Sequence, residues 1–250
     1  MKKQLIFSTI VLHGVLSLPS AFAGGSMNVD DAEILDDHTC QLETVGKFNR
    51  GDTERLLSPA CNLGGNFELG WQNAWQRDAG GLYLSSSQLQ GKTVFRKLSP
   101  DGAGLGMLVG IERQIDGLEE DDPDAGRQRS WNYSAKLLTS FSFRDDSMRL
   151  HTNLGLNHAS EDHRTRLSWG LGNELRLSGR VSFISEVFGQ AWDTPSYQAG
   201  FRTTLVPDRV ELDLTYGNTF GKTFSNAFAT DTPGRYVALS MRFIAPQLLE

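Results

Sequence analysis

The chain has 250 residues, 26 of them glycine, with 24 Lys and Arg against 30 Asp and Glu, a formal net charge of −6. That acidity excludes a nucleic-acid partner held by phosphate neutralisation. Beyond residue 23 no apolar run approaches the roughly 20 residues of a membrane helix, which excludes a helical membrane protein but not a transmembrane barrel, whose strands turn half their side chains away from lipid.

Lys2 and Lys3, a mostly apolar run over residues 5–16, and small residues at the cleavage positions of Ala21-Phe22-Ala23 predict a secretory signal peptide over residues 1–23. No Cys follows the cleavage site, so a lipid anchor is not expected. Removing the signal takes away two lysines and no acid, and the net charge moves from −6 to −8. Residues 24–39 show no period and are expected as a periplasmic segment ahead of the barrel.

Cys40 and Cys61 are the two cysteines. Residues 41–48 and 54–60 read as extended, with Asn49-Arg50-Gly51-Asp52 as the turn between them. Folding about that turn sets Cys40 opposite Cys61, close enough for a disulfide in an exported chain.

From there the period is two. Strands are predicted over 67–75, 89–95, 105–111, 131–143, 148–156, 167–177, 181–187, 197–205, 209–216 and 236–243. In the last of these Val237, Leu239, Met241 and Phe243 share one face and Ala238, Ser240 and Arg242 the other. A soluble sandwich and a membrane barrel both produce this pattern. Connector lengths favour the barrel: short turns at 98–103, 144–147, 177–180 and 206–209 alternate with longer loops at 114–129, 158–163, 190–196 and 218–234. Aromatic residues fall at strand ends, Trp75, Tyr83, Trp131, Tyr197 and Tyr216 at one rim and Phe67, Phe95, Phe143 and Phe243 at the other. The expectation is an all-β, antiparallel up-and-down transmembrane barrel of twelve strands over residues 40–243, with a periplasmic tail at 244–250.

On that topology the polar faces line the lumen. They carry Glu68, Lys92, Arg96, Lys136, Arg149, His151, Asn153, Arg166, Glu174, Arg176, Glu186, Arg202, Glu211, Asp213 and Arg242 as selectivity candidates. Twelve strands lie between the filled lumen of eight and the open one of sixteen, so the same charges suit an open pathway or a salt-bridge network that closes it.

Several blocks carry a resemblance: Asp30-Asp31-Ala32, Cys40-Gln41-Leu42-Glu43, Ser58-Pro59-Ala60-Cys61-Asn62, His151-Thr152-Asn153-Leu154-Gly155, Trp169-Gly170-Leu171-Gly172, Glu186-Val187-Phe188-Gly189-Gln190, Tyr197-Gln198-Ala199-Gly200 and Val206-Pro207-Asp208-Arg209-Val210. Together they resemble a family of uncharacterised proteobacterial outer-membrane proteins, related to the channel-like "MetA-pathway of phenol degradation" group. The resemblance implies an outer-membrane barrel that transports small organic molecules, and no catalytic residue. Phe243 fits the terminal aromatic that such barrels present at insertion, although residues 244–250 follow it.

Three functions are weighed. The first is a passive channel for a small organic solute. The second is a closed structural barrel whose external loops bind lipopolysaccharide or another envelope partner. The third is a hydrolase using His151 with Ser134, Ser140 or Ser168 on adjacent strands. Expected partners are outer-membrane lipids, lipopolysaccharide and, during insertion, the barrel-assembly machinery. No cofactor or metal is implied. The acidic loop over 114–129 and the His158–His163 loop, whose oxygen and imidazole ligands suit a cation, read as solvated surface.

Overall fold

The computed structural model describes residues 27–49, 53–78, 81–115, 129–221 and 235–245. They form twelve antiparallel strands: β1 Cys40–Phe48, β2 Thr53–Asn62, β3 Glu68–Asp78, β4 Gly81–Arg96, β5 Ala103–Ile115, β6 Arg129–Phe143, β7 Met148–Ala159, β8 Arg164–Arg176, β9 Val181–Gln190, β10 Ser196–Val206, β11 Val210–Thr219 and β12 Tyr236–Ala245. Each strand pairs with its sequence neighbours, and β12 returns to β1 with Ala245 opposite Cys40, closing the barrel. Closure leaves no strand edge unpaired.

The strands begin and end close to where alternation places them. The largest departure is β4, which starts eight residues before the expected position 89. Its first half contains Ser85-Ser86-Ser87, which hides the apolar period, and a bulge opposite Ala74 and Trp75. The last strand runs two residues past 243, and residues 246–250 lie outside the described region, as do the signal peptide and the acidic loop over 116–128.

Burial is inverted relative to a soluble protein. Leu154 and Leu214, in the middle of β7 and β11, are each 54% exposed, while Arg149, Arg202, Asp213 and Arg242 are 3% exposed or less. Most apolar side chains of the strands project outward and most charged ones near mid-strand inward, the arrangement of a barrel solvated by lipid. Cys40 and Cys61 lie directly opposite in the β1–β2 register and are joined by a disulfide.

One expectation is overturned here. Residues 27–39 do not sit outside the barrel as a periplasmic segment. They enter at the Cys40 end and run up the lumen, bringing Asn28 to Glu186 in the middle of β9. The physical reason is complementarity: this acidic, non-alternating stretch finds carboxylates, amides and cations on the inner wall that satisfy both its charges and its backbone.

Candidate functional site: the plugged lumen

An extended chain inside a barrel cannot join the sheet, so its backbone N–H groups need side-chain acceptors. The wall supplies them in sequence. The backbone N–H groups of Asn28 and Val29 donate to the Glu186 carboxylate at 2.9 and 2.8 Å, and the Asn28 side-chain amide donates to it at 2.7 Å. Asp30 N–H donates to Asn153 Oδ1 at 2.8 Å, and Asn153 Nδ2 donates back to the Asp30 carbonyl at 2.7 Å. Ala32 N–H donates to Ser140 Oγ at 2.8 Å, and Leu35 N–H to Glu68 at 2.9 Å. Asn62 Nδ2 donates to the Leu35 carbonyl at 2.7 Å.

Charge pairing runs alongside. Lys136 meets Asp30 at 3.2 Å, Lys92 meets Asp31, and Arg149 meets Glu33 at 3.4 Å. Ala32 packs on Leu108 and Leu138 in a small apolar cluster where each residue is at most 2% exposed. Net hydrogen bonds contribute about 0.5–1.5 kcal/mol each, and those to charged groups about 1.5–3 kcal/mol. Eight such contacts plus three ion pairs therefore fix the segment.

Room for the plug comes from β8. At Gly170 an added Cβ would lie 2.7 Å from Val29 Cγ2, and at Gly172 it would lie 3.3 Å from the same side chain. These glycines, inward-facing at alternate positions, are functional residues that the charge-based reading passes over. Their sequence signal is the Trp169-Gly170-Leu171-Gly172 block itself.

Across the lumen a second set of charges pairs from strand to strand. Arg202 on β10 forms two parallel bonds of 2.8 Å to Asp213 on β11, residues in direct register, and reaches Glu174 on β8 at 3.3 Å. Arg242 on β12 pairs with Glu211. This is the salt-bridge network that the bland reading of the lumen expects.

The remaining candidates fall elsewhere. Arg166 pairs with Asp162 in the loop before its strand, and Arg176, the last residue of β8, is exposed at the rim. Arg96 is a correction: a bulge between Val94 and Arg96 sets Arg96 opposite outward-facing Leu105, on the outer surface rather than in the lumen. One extra residue reverses parity.

The histidine and serine named for hydrolysis do meet, with Ser140 Oγ 2.8 Å from His151 Nδ1. Both are wholly buried, and the serine oxygen already accepts the Ala32 N–H. Nucleophilic catalysis needs an accessible hydroxyl and an oriented base. This pair is an anchor for the plug. At the far end of the same strand His158 bonds Thr165, its register partner on β8.

A cavity of about 580 Å³ runs beside residues 27–30, from Gln41 and Pro59 near the Cys40 end to Lys47 and Gln190 near the long loops; one of about 790 Å³ lies on the long-loop side, and one of about 280 Å³ at the Cys40 end.

Residues 11–228 match the family described as Uncharacterised conserved protein UCP029691. The chain belongs to that family. No curated protein matches it. Among solved structures it is similar to the KdgM porin in complex with disordered oligogalacturonate, at 8% identity over 81% of this chain and 98% of that one, with a TM-score of 0.58. It is similar to the COG4313 outer membrane channel from Pseudomonas putida F1 at 11% identity, over 86% and 97% of the two chains, with a TM-score of 0.55. For the NanC porin the values are 7%, 84%, 100% and 0.53. At these identities the likeness concerns the fold, that of outer-membrane β-barrel channels. None of these descriptions carries the phenol-degradation name.

Proposed function

We propose that this chain is an outer-membrane channel for small solutes, exported by a cleaved signal peptide and closed at rest by its own residues 27–39. The observation that carries the reading is the run of plug N–H groups, at Asn28, Val29, Asp30, Ala32 and Leu35, each received by a barrel side chain. A lumen filled by wall side chains alone would need no such matched acceptors, and a permanently open one would leave them to water. Barrels sharing the fold are porins and channels, which supports transport. The outward apolar bands suit lipid, and the lumenal charges suit selectivity once the plug withdraws.

The test is planar-bilayer conductance of the whole chain against a variant lacking residues 27–37. Silence or rare brief steps from the whole chain, with steady steps from the variant, is the expected result. Equal conductance from both refutes the plug. Silence from both, with each heat-modifiable and inserted, refutes transport and leaves the closed structural barrel, its external loops facing lipopolysaccharide.

A further inference from the structure

The two larger cavities form one vestibule, because Gln88, Glu112, Lys136, Asn157 and Gln190 line both. Their volumes, about 580 and 790 Å³, fall in the range of roughly 300–1,000 Å³ typical of small-molecule sites. The lining mixes carboxylates, Glu43, Glu112, Glu161 and Asp193 among them, with a cluster of amides. Five strands send glutamines to it: Gln41 from β1, Gln72 from β3, Gln88 and Gln90 from β4, Gln114 from β5 and Gln190 from β9. Gln72 and Gln88 lie directly opposite in the β3–β4 register.

A side-chain amide offers two donors and an acceptor in one plane without carrying charge. A cluster of them suits a ligand dense in hydroxyl groups, each both donor and acceptor.

The cations around the vestibule are already matched. Lys47 pairs with Glu54 at 3.2 Å, Lys136 with Asp30 at 3.2 Å, and Arg166 with Asp162. An anionic solute would have to displace a carboxylate from each.

We infer that this vestibule is a binding site for a neutral, hydroxyl-rich solute of saccharide type, seated on the glutamine cluster beside residues 27–30 of the plug. The inference deepens the channel reading by naming its solute class, and it is tested without conduction. The full chain in detergent micelles is titrated, by calorimetry and saturation-transfer NMR, with sucrose, galacturonic acid, spermidine and phenol. Sucrose is expected to bind saturably, at least tenfold more tightly than the other three. The double variant Gln72→Leu with Gln88→Leu, with heat-modifiability confirming its fold, is expected to weaken sucrose at least tenfold. The inference is overturned if sucrose does not bind, if the double variant binds it unchanged, or if galacturonic acid, spermidine or phenol binds as tightly. Binding, with bilayers silent for both the whole chain and the variant lacking residues 27–37, keeps the site and rejects the channel; plug-dependent conductance without binding does the reverse.

Discussion

The two sides of the lumen use the same residue types for different ends. On the side of β10 to β12, Arg202, Asp213, Glu211 and Arg242 neutralise one another across adjacent strands. On the side of β4 to β9, Lys92, Lys136, Arg149, Asn153 and Glu186 turn instead to residues 28–33. The first set ties strand to strand and stabilises the wall. The second ties the wall to a removable segment. A lumenal charge is thus read by its partner, not by its position.

That contrast can be broken most forcefully at Arg202. Arg202→Ala leaves Asp213 and Glu174 buried beside an empty space, and breaking a buried pair costs about 3–5 kcal/mol. The barrel should unfold at lower denaturant while the plug stays seated and bilayers stay silent. Steady conductance from this variant would show that the two sides are not separate. A smaller loss comes from the outer face of the neighbouring strand, β11. Leu214→Arg puts a charge where lipid is expected, at about 2–4 kcal/mol near the midplane. Refolding into bilayers with parental stability would mean that the facing assignment of β11 is wrong.

Much of this architecture is legible in the chain. Strand faces follow from alternation, closure from an even strand count, and the disulfide from the symmetry of Cys40 and Cys61 about one turn. The Arg202–Asp213 pair is legible too, since register alone sets those residues opposite each other. Arg96 is not, because nothing local marks the bulge that inverts it. The plug is hidden for a different reason. Residues 27–39 have no period, and their partners on the wall lie 23 to 158 positions away. The available signal is charge balance. Asp30, Asp31 and Glu33 stand just ahead of the first strand, and the predicted lumen holds more bases than acids.

The plug side yields to subtler changes than deletion. Gly170→Val places branched bulk where a single Cβ already comes within 2.7 Å of Val29. Overpacking of this kind costs about 1–3 kcal/mol, borne here by the plug because the wall is held by its ladder. Conductance should appear while denaturant stability of the barrel is unchanged; a silent variant would mean that Val29 can shift without releasing its neighbours.

The smallest expected effect isolates one rung. Ser140→Ala removes the acceptor of the Ala32 N–H and the partner of His151 Nδ1 but leaves every ion pair in place. A buried N–H without an acceptor costs about 1–3 kcal/mol, so the equilibrium between seated and withdrawn plug should move by about five- to a hundredfold. The readout is the open fraction in long bilayer recordings, compared with Lys136→Ala, which removes a half-exposed ion pair worth at most about 1 kcal/mol. If the serine variant opens more often than the lysine variant, backbone recognition rather than charge holds the plug. The reverse order would assign the seating to electrostatics, and channel closure would then weaken with salt, which the same recordings at low and high ionic strength would reveal.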